Sequence, residues 1–187
     1  ITLFCVPHSV MARPSFKRLW RRFLPREAQR STYVLVSSLL LLLLFWQWRA
    51  LPQVIWELDG ISAIALWLLF GTGWAIAVGA TWMIDHFELF GLREALDAAL
   101  MARRRRATLV TPAIYAVVRH PIMLGFLLAF WATPHMTLGH LVFASTMTAY
   151  VALALPFEER DLEGEFGAAY VDYRKRVPAL LPRPWRR

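Results

Sequence analysis

The sequence predicts an all-α, polytopic integral membrane protein: a helical bundle with a C-terminal helical hairpin and a charged cytoplasmic tail. Three observations carry this expectation. Of the 187 residues, 58% are hydrophobic and the mean hydropathy is +0.44, more apolar than a soluble domain of this size can bury. The apolar residues gather in runs close to the roughly 20 residues that a bilayer-crossing helix needs. The formal charge of +8 lies in blocks between those runs, and one topology gathers nearly all the basic segments on one face of the membrane.

The elements follow in order, over 1–187 read as a single domain. Residues 1–6, Ile1 to Val6, read as the stub of a truncated hydrophobic span, without the basic start and small-residue cleavage site of a signal peptide. Residues 7–31 carry Arg13, Lys17, Arg18, Arg21, Arg22, Arg26 and Arg30, interleaved with Phe16, Leu19, Trp20, Phe23 and Leu24. That pattern predicts an interfacial amphipathic helix ended by Pro25. Residues 32–48 predict a spanning helix with an aromatic belt at Phe45, Trp46 and Trp48. Residues 49–60 predict a short outer loop, and 61–84 a second span in which Gly71, Gly73 and Gly79 leave room for close helix packing.

The segment 85–121 returns to the basic side with the run Arg103 to Arg106, read as a solvated, lipid-facing patch. Two apolar stretches, 122–133 and 137–156, flank Pro134-His135-Met136. The first is too short to span upright, so they predict a hairpin (122–156) with both ends on the cytoplasmic side. Residues 157–187 form a charged tail, acidic first and then basic at Arg174, Lys175 and Arg176.

Several function classes are disfavoured. A pI near 10.5 in a soluble chain would point to nucleic acid; here the basic blocks flank membrane runs and point to anionic lipid, with no nucleic-acid partner. Cys5 is the single cysteine, so neither an internal disulfide nor a thiolate metal cluster is expected. His8, His86, His120, His135 and His140 are scattered without an H-x-x-x-H pair, so no metal site is expected. There is no G-x-G-x-x-G, P-loop or G-x-S-x-G, so a nucleotide-like cofactor would be held without a Rossmann unit.

Four constellations could carry chemistry. Arg119-His120-Pro121, with Gly125 one turn on, opens the hairpin. Proline suits a first helical turn, helix-start amides favour anions, and an arginine there can clamp a carboxylate; a plain helix cap explains the same residues. Glu158-Glu159 follows the last apolar run, where a carboxylate suits an ammonium, a sulfonium or sugar hydroxyls, or simply pairs with Arg160. Asp85-His86-Phe87-Glu88 closes the second span and could handle protons near neutrality, although His86 and Glu88 do not share a helical face. Tyr170, Tyr173 and Arg174 could close over a ligand or form an interfacial helix.

At these residues the chain resembles a known group. Arg119-His120-Pro121-x-Met123-x-Gly125, an apolar hairpin and Glu158-Glu159 resemble the R-H-P-x-Y-x-G…E-E pattern of the isoprenylcysteine carboxyl methyltransferase family. The flanking stretches "HSVMARPSFKR", "DHFELFGLR", "VRHPIMLGFLLAFWATPHMTLGH" and "EERDLEGEFGAAYVDYRKRVPALLP" resemble the bacterial methanethiol S-methyltransferases, neighbours of the NnrU-type proteins. The likeness covers essentially the whole chain. Met123 departs from the pattern, standing where the family has an aromatic.

The resemblance implies a bacterial inner-membrane enzyme whose hairpin and tail form a cytoplasm-facing pocket for S-adenosylmethionine. It implies methyl transfer to a small thiol: methanethiol to dimethyl sulfide, or hydrogen sulfide to methanethiol. Arg119, His120, Pro121, Met123, Gly125, Glu158, Glu159, Tyr170, Tyr173 and Arg174 are then the expected cofactor residues, and His86 or Glu88 the expected aid to thiol deprotonation. Three alternatives stay open: carboxyl methylation of another acceptor, an NADPH-dependent sterol reductase with a similar R-H-P end, or a NnrU-like membrane protein of nitrogen-oxide metabolism.

Overall fold

A computed structural model describes residues 1–84, 109 and 111–182. They fall into two compact units, one built on 1–48 and the other on 49–83 and 109–182. Among the described residues, three helices are long and apolar enough to cross a membrane: Ala28–Trp46, Gly60–Met83 and Leu138–Phe166. The protein is an all-α polytopic membrane protein with one small strand pair.

The first unit holds α1 (Thr2–Ala12), α2 (Pro14–Trp20) and α3 (Arg26–Trp46). The expected division into a stub at 1–6 and one interfacial helix from 7 is corrected here. α1 runs through that boundary, with Pro7 inside it, and breaks at the extended Arg13. Pro14 then opens α2 and Pro25 caps α3 rather than ending the preceding helix, each proline standing where its missing N–H costs least. α1 and α3 are pinned by the Tyr33 hydroxyl and His8 Nε2, 2.7 Å apart. Along α3, Leu35, Leu39, Leu42 and Trp46 form one uncovered apolar face, as a helix bathed in lipid requires.

The second unit comprises β1 (Val54–Glu57), α4 (Gly60–Met83), a 3-10 turn (Ala113–Ala116), α5 (Pro121–Trp131), β2 (His135–Thr137), α6 (Leu138–Phe166) and α7 (Ala168–Arg176). The segment 49–60 is not simply a loop: β1 pairs antiparallel with β2, Trp56 opposite Met136 and Glu57 opposite His135. Val54-Ile55-Trp56 is β-prone, and Trp56 Nε1 donates to the Thr133 carbonyl at 3.0 Å. The strand pair ties the start of α4 to the tip of the hairpin, so α4 and α5 run antiparallel.

α4 buries a stripe of small residues, Gly73, Ala77 and Ala80, and leaves Ile61, Ile64, Leu68, Val78 and Trp82 uncovered. α5 buries Gly125 and Ala129 in return. The two G-x-x-x-A stripes cross backbone to backbone. A Cβ added at Gly73 would lie 2.7 Å from the Gly125 carbonyl oxygen, and one added at Gly125 would lie 2.6 Å from the Ala77 nitrogen. Such proximity is how apolar helices associate where no hydrophobic effect separates protein from lipid. Gly73 therefore fulfils the packing expected of the second span, whereas Gly71 and Gly79 have open space where a side chain would stand.

The hairpin is present, with one correction to its far arm. α6 does not stop at residue 156. It continues through Pro156 to Phe166, so Glu158 and Glu159 stand on a helix rather than at the root of a tail. Proline's fixed φ is compatible with a helix, at the cost of the hydrogen bond one turn back and of crowding against the carbonyl there. α5, eleven residues and about 16 Å long, is too short to span upright. It lies against α6: Phe130 and Phe143 meet edge to face, and Trp131 Nε1 donates to Thr148 Oγ1 at 2.9 Å.

Gly73→Val and Gly125→Val should each destabilise the protein by about 1–3 kcal/mol or more, because the crossing cannot admit a branched side chain. Gly71→Ala and Gly79→Ala should be neutral or stabilising by up to about 1 kcal/mol, alanine being the better helix former. Unfolding midpoints in one detergent compare the four directly.

Candidate functional site

The site begins where the chain enters α5. His120 is the N-cap residue and Pro121 the first helical position, as the spacing predicts. The amides of Arg119 and His120 are not open to an anion, however. They donate to the carbonyls of Pro178 and Ala179, at 2.9 and 3.0 Å. The segment after α7 is thus laid directly over the R-H-P turn.

Arg119 reaches into the protein. Its Nε donates to Glu159 Oε1 at 2.9 Å, and its Nη2 donates to the same oxygen. Its Nη1 donates to the Arg174 carbonyl at 3.0 Å and to the Val177 carbonyl. One guanidinium therefore joins the motif turn, α6 and the end of α7, using the planar fork that lysine lacks. With side-chain exposures of 8% and 14%, Arg119 and Glu159 form a buried pair. Each satisfies the charge of the other, the condition on which such burial is tolerable.

His120 stands between the two carboxylates. Its Nε2 lies 3.3 Å from Glu159 Oε1 and its Nδ1 3.8 Å from Glu158 Oε1. The imidazole is almost fully buried, Glu159 mostly so, and Glu158 half exposed. The register that makes this possible is simple: from Trp131 and Thr148 to His120 and Glu159 is eleven positions along each helix.

α7 closes the cluster from the other side through a small core of Tyr170, Tyr173 and Val177, packed by Leu109, Leu162 and Phe166. The Tyr173 hydroxyl donates to the Tyr115 carbonyl at 2.6 Å. The Tyr170 hydroxyl is buried and has no hydrogen bond of acceptable geometry among the described residues, although Arg119 stands close enough to act on its ionisation. Burial, reinforced by Glu159 and opposed by Arg119, pushes its phenol up to about 12. Burial likewise raises Tyr173, and raises Tyr115 beside Tyr173 and Glu158.

The structure thus brings together Arg119, His120, Glu158, Glu159, Tyr170 and Tyr173. Pro121 shapes the turn. Gly125 faces α4 instead, and Met123, half-buried, lies about 200° round α5 from it by helical geometry. Those two positions of the motif serve different surfaces. Arg174 contributes its carbonyl to Arg119, while its exposed side chain pairs with Glu163 at 3.0 Å. His86, Glu88 and Arg103 to Arg106 lie outside the described residues.

Tyr115 is a site residue that sequence reasoning missed. It sits on a 3-10 turn entered through Ala113 at φ 37°, a left-handed conformation that costs a residue with a side chain. No motif marks it. Its only signal is a lone aromatic one turn before Arg119.

Arg119→Met should cost about 3–5 kcal/mol, the penalty for stranding the buried Glu159 charge. The double variant with Glu159→Met should cost less than the sum of the singles, and a double-mutant cycle on unfolding free energies measures the difference. The raised Tyr170 phenol also sets an alkaline limit. The unfolded chain releases that proton near pH 10 and the folded one near 12, so its contribution is whole below pH 10 and falls as pH climbs to 12. Tyr170→Phe should flatten that part of the stability–pH curve.

The family model described as NnrU protein matches residues 1–178. Methanethiol S-methyltransferase 2 of Bradyrhizobium diazoefficiens is 60% identical over 186 residues, 98% of this chain and 71% of that protein. Methanethiol S-methyltransferase of Mycobacterium tuberculosis is 53% identical over 185 residues, 98% of this chain and 76% of that protein. A Nurim homolog of Drosophila pseudoobscura pseudoobscura is 30% identical over 172 residues, 85% of this chain and 66% of that protein. No solved structure matches. The chain belongs to the NnrU protein family, in the group that holds the methanethiol S-methyltransferases.

Proposed function

We propose that this protein is a membrane thiol S-methyltransferase that uses S-adenosylmethionine to convert methanethiol to dimethyl sulfide. The names of its relatives supply the acceptor. The observation that carries the reading to this chain is the buried Arg119–Glu159 pair, with His120 and half-exposed Glu158 beside it and Tyr170 buried alongside.

The donor set fits the cofactor. Glu158 and Glu159 suit a cationic sulfonium and ammonium, and the Tyr170 hydroxyl has hydrogen-bonding capacity to give. When bound, S-adenosylmethionine supplies an electrophilic methyl group on a positively charged sulfur. Glu158 would face that positive charge. Arg119 would act from behind, holding Glu159 and the C-terminal segment in place, because its donors are already engaged by the protein. Tyr170 and Tyr173 would close the pocket and exclude water. A thiolate and a cation lose charge as they react, so a water-poor wall favours the transition state over the separated ions. Methanethiol is small and apolar enough to arrive through the bilayer. The basic blocks that flank the spans support a bacterial inner-membrane protein with this site on the cytoplasmic side.

The role of His86 or Glu88 in taking the thiol proton stays part of this proposal. Purified protein in lipid nanodiscs with methyl-labelled S-adenosylmethionine and methanethiol should release labelled dimethyl sulfide. It should bind S-adenosylhomocysteine and not NADPH. No label in dimethyl sulfide, or NADPH binding instead, contradicts the reading. His86→Ala with an unchanged rate and pH profile removes His86 from the proton transfer.

A further inference from the structure

We propose that Glu158 and His120 together accept the thiol proton, Glu158 as the carboxylate the thiol touches and His120 as the ring that holds the proton behind it. This rests on the methyltransferase reading above and offers, for the step given there to His86 or Glu88, a proton acceptor among the described residues.

The two carboxylates are not equivalent. Glu159 is 14% exposed and its Oε1 is engaged by Arg119 Nε and Nη2. Glu158 is 45% exposed, and His120 Nδ1 stands 3.8 Å from its Oε1. Glu159 is thus matched in charge, and Glu158 is the one a substrate can reach.

His120 is 4% exposed at its side chain, and each ring nitrogen faces a carboxylate oxygen. A neutral imidazole has one N–H. Its other nitrogen must then point a lone pair at a carboxylate. A second proton turns that repulsion into a second attractive contact.

Neither group suffices alone. An ordinary carboxylate ionises about four pH units below an ordinary thiol, and an imidazole about two below. Glu158 is accessible, while His120 is buried behind it. In sequence, the S–H bond breaks and its electron pair stays on sulfur. The proton passes to a Glu158 oxygen, and a proton passes on to His120 Nδ1. The products are a thiolate, a carboxylate and an imidazolium held between two carboxylates. The 3.8 Å gap closes by rotation of the half-exposed Glu158 side chain, and such contacts commonly tighten when substrate binds. The other ionisable groups around the pair are Arg119 and Glu159, Tyr115 on the 3-10 turn, and Tyr170 and Tyr173 on α7. Burial keeps all three phenols protonated through neutral pH.

The test compares wild type, Glu158→Gln and His120→Gln with two acceptors: methanethiol, and a fluorinated ethanethiol that is largely ionised near neutral pH. At pH 7, kcat/KM for methanethiol should fall about 100-fold or more in both variants, then recover about tenfold per pH unit as the thiol ionises by itself. The fluorinated thiol should lose less than about tenfold. Both variants are compared at saturating S-adenosylmethionine, because Glu158 also faces the cofactor's charge, so that weaker cofactor binding does not enter the ratio between the two thiols. Equal losses with both thiols would overturn the proposal and leave the methyltransferase reading standing. If His120→Gln does not fold, Glu158→Gln, at a half-exposed side chain, decides alone. Wild type that methylates neither thiol overturns both.

Discussion

One carboxylate oxygen organises the second unit. Glu159 Oε1 receives the Nε and Nη2 protons of Arg119 and lies 3.3 Å from His120 Nε2. Through Arg119 Nη1 the same knot reaches the carbonyls of Arg174 and Val177. Three pieces of chain far apart in sequence, the motif turn, the end of α6 and the segment after α7, therefore meet at one ion pair. The pair is buried and pays its desolvation only because its geometry is nearly complete. Removing any one member loosens all three pieces together.

That knot can form only if α5 starts at the right height. The reciprocal Gly73-x-x-x-Ala77 and Gly125-x-x-x-Ala129 crossing supplies the height. Close packing of two backbones has few alternatives, because a shift of one residue would drive a side chain into a carbonyl. The strand pair at the far end, Trp56 opposite Met136, anchors the other ends of the helices. The crossing and the strands thus form a rigid lever, with Arg119 and His120 at its tip. Function can vary at that tip while the lever stays constant.

Hydrophobic runs made the spans legible, since lipid imposes a length on every helix that crosses it. The hairpin and the proline at the first turn of α5 were legible for the same local reasons, whereas the association of the R-H-P turn with the double glutamate came from the family resemblance. Three things were not legible. The strand pair depends on a partner about 80 residues away, and Val54 to Glu57 alone reads as loop. The continuation of α6 through Pro156 contradicts a local helix-breaking signal that tertiary contacts override. The direction of Arg119 was the subtlest: its residue type suggests a ligand clamp, and only the positions of Glu159, Arg174 and Val177 show that its donors turn inward. Gly125 is similar, because a glycine near a motif says that something approaches closely and not whether it is a ligand or a helix.

The cluster that results has matched charge inside and a half-exposed carboxylate outside, beside a small core of tyrosines. That arrangement suits a cationic donor and an apolar acceptor arriving from different phases. Hydrogen–deuterium exchange with and without S-adenosylhomocysteine tests it most directly. Protection should appear at 118–122, 157–161 and 168–180, with the strand pair 54–57 and 135–137 unchanged. Protection confined to the strand pair, or absent from all three segments while the ligand binds, would contradict the placement of the site.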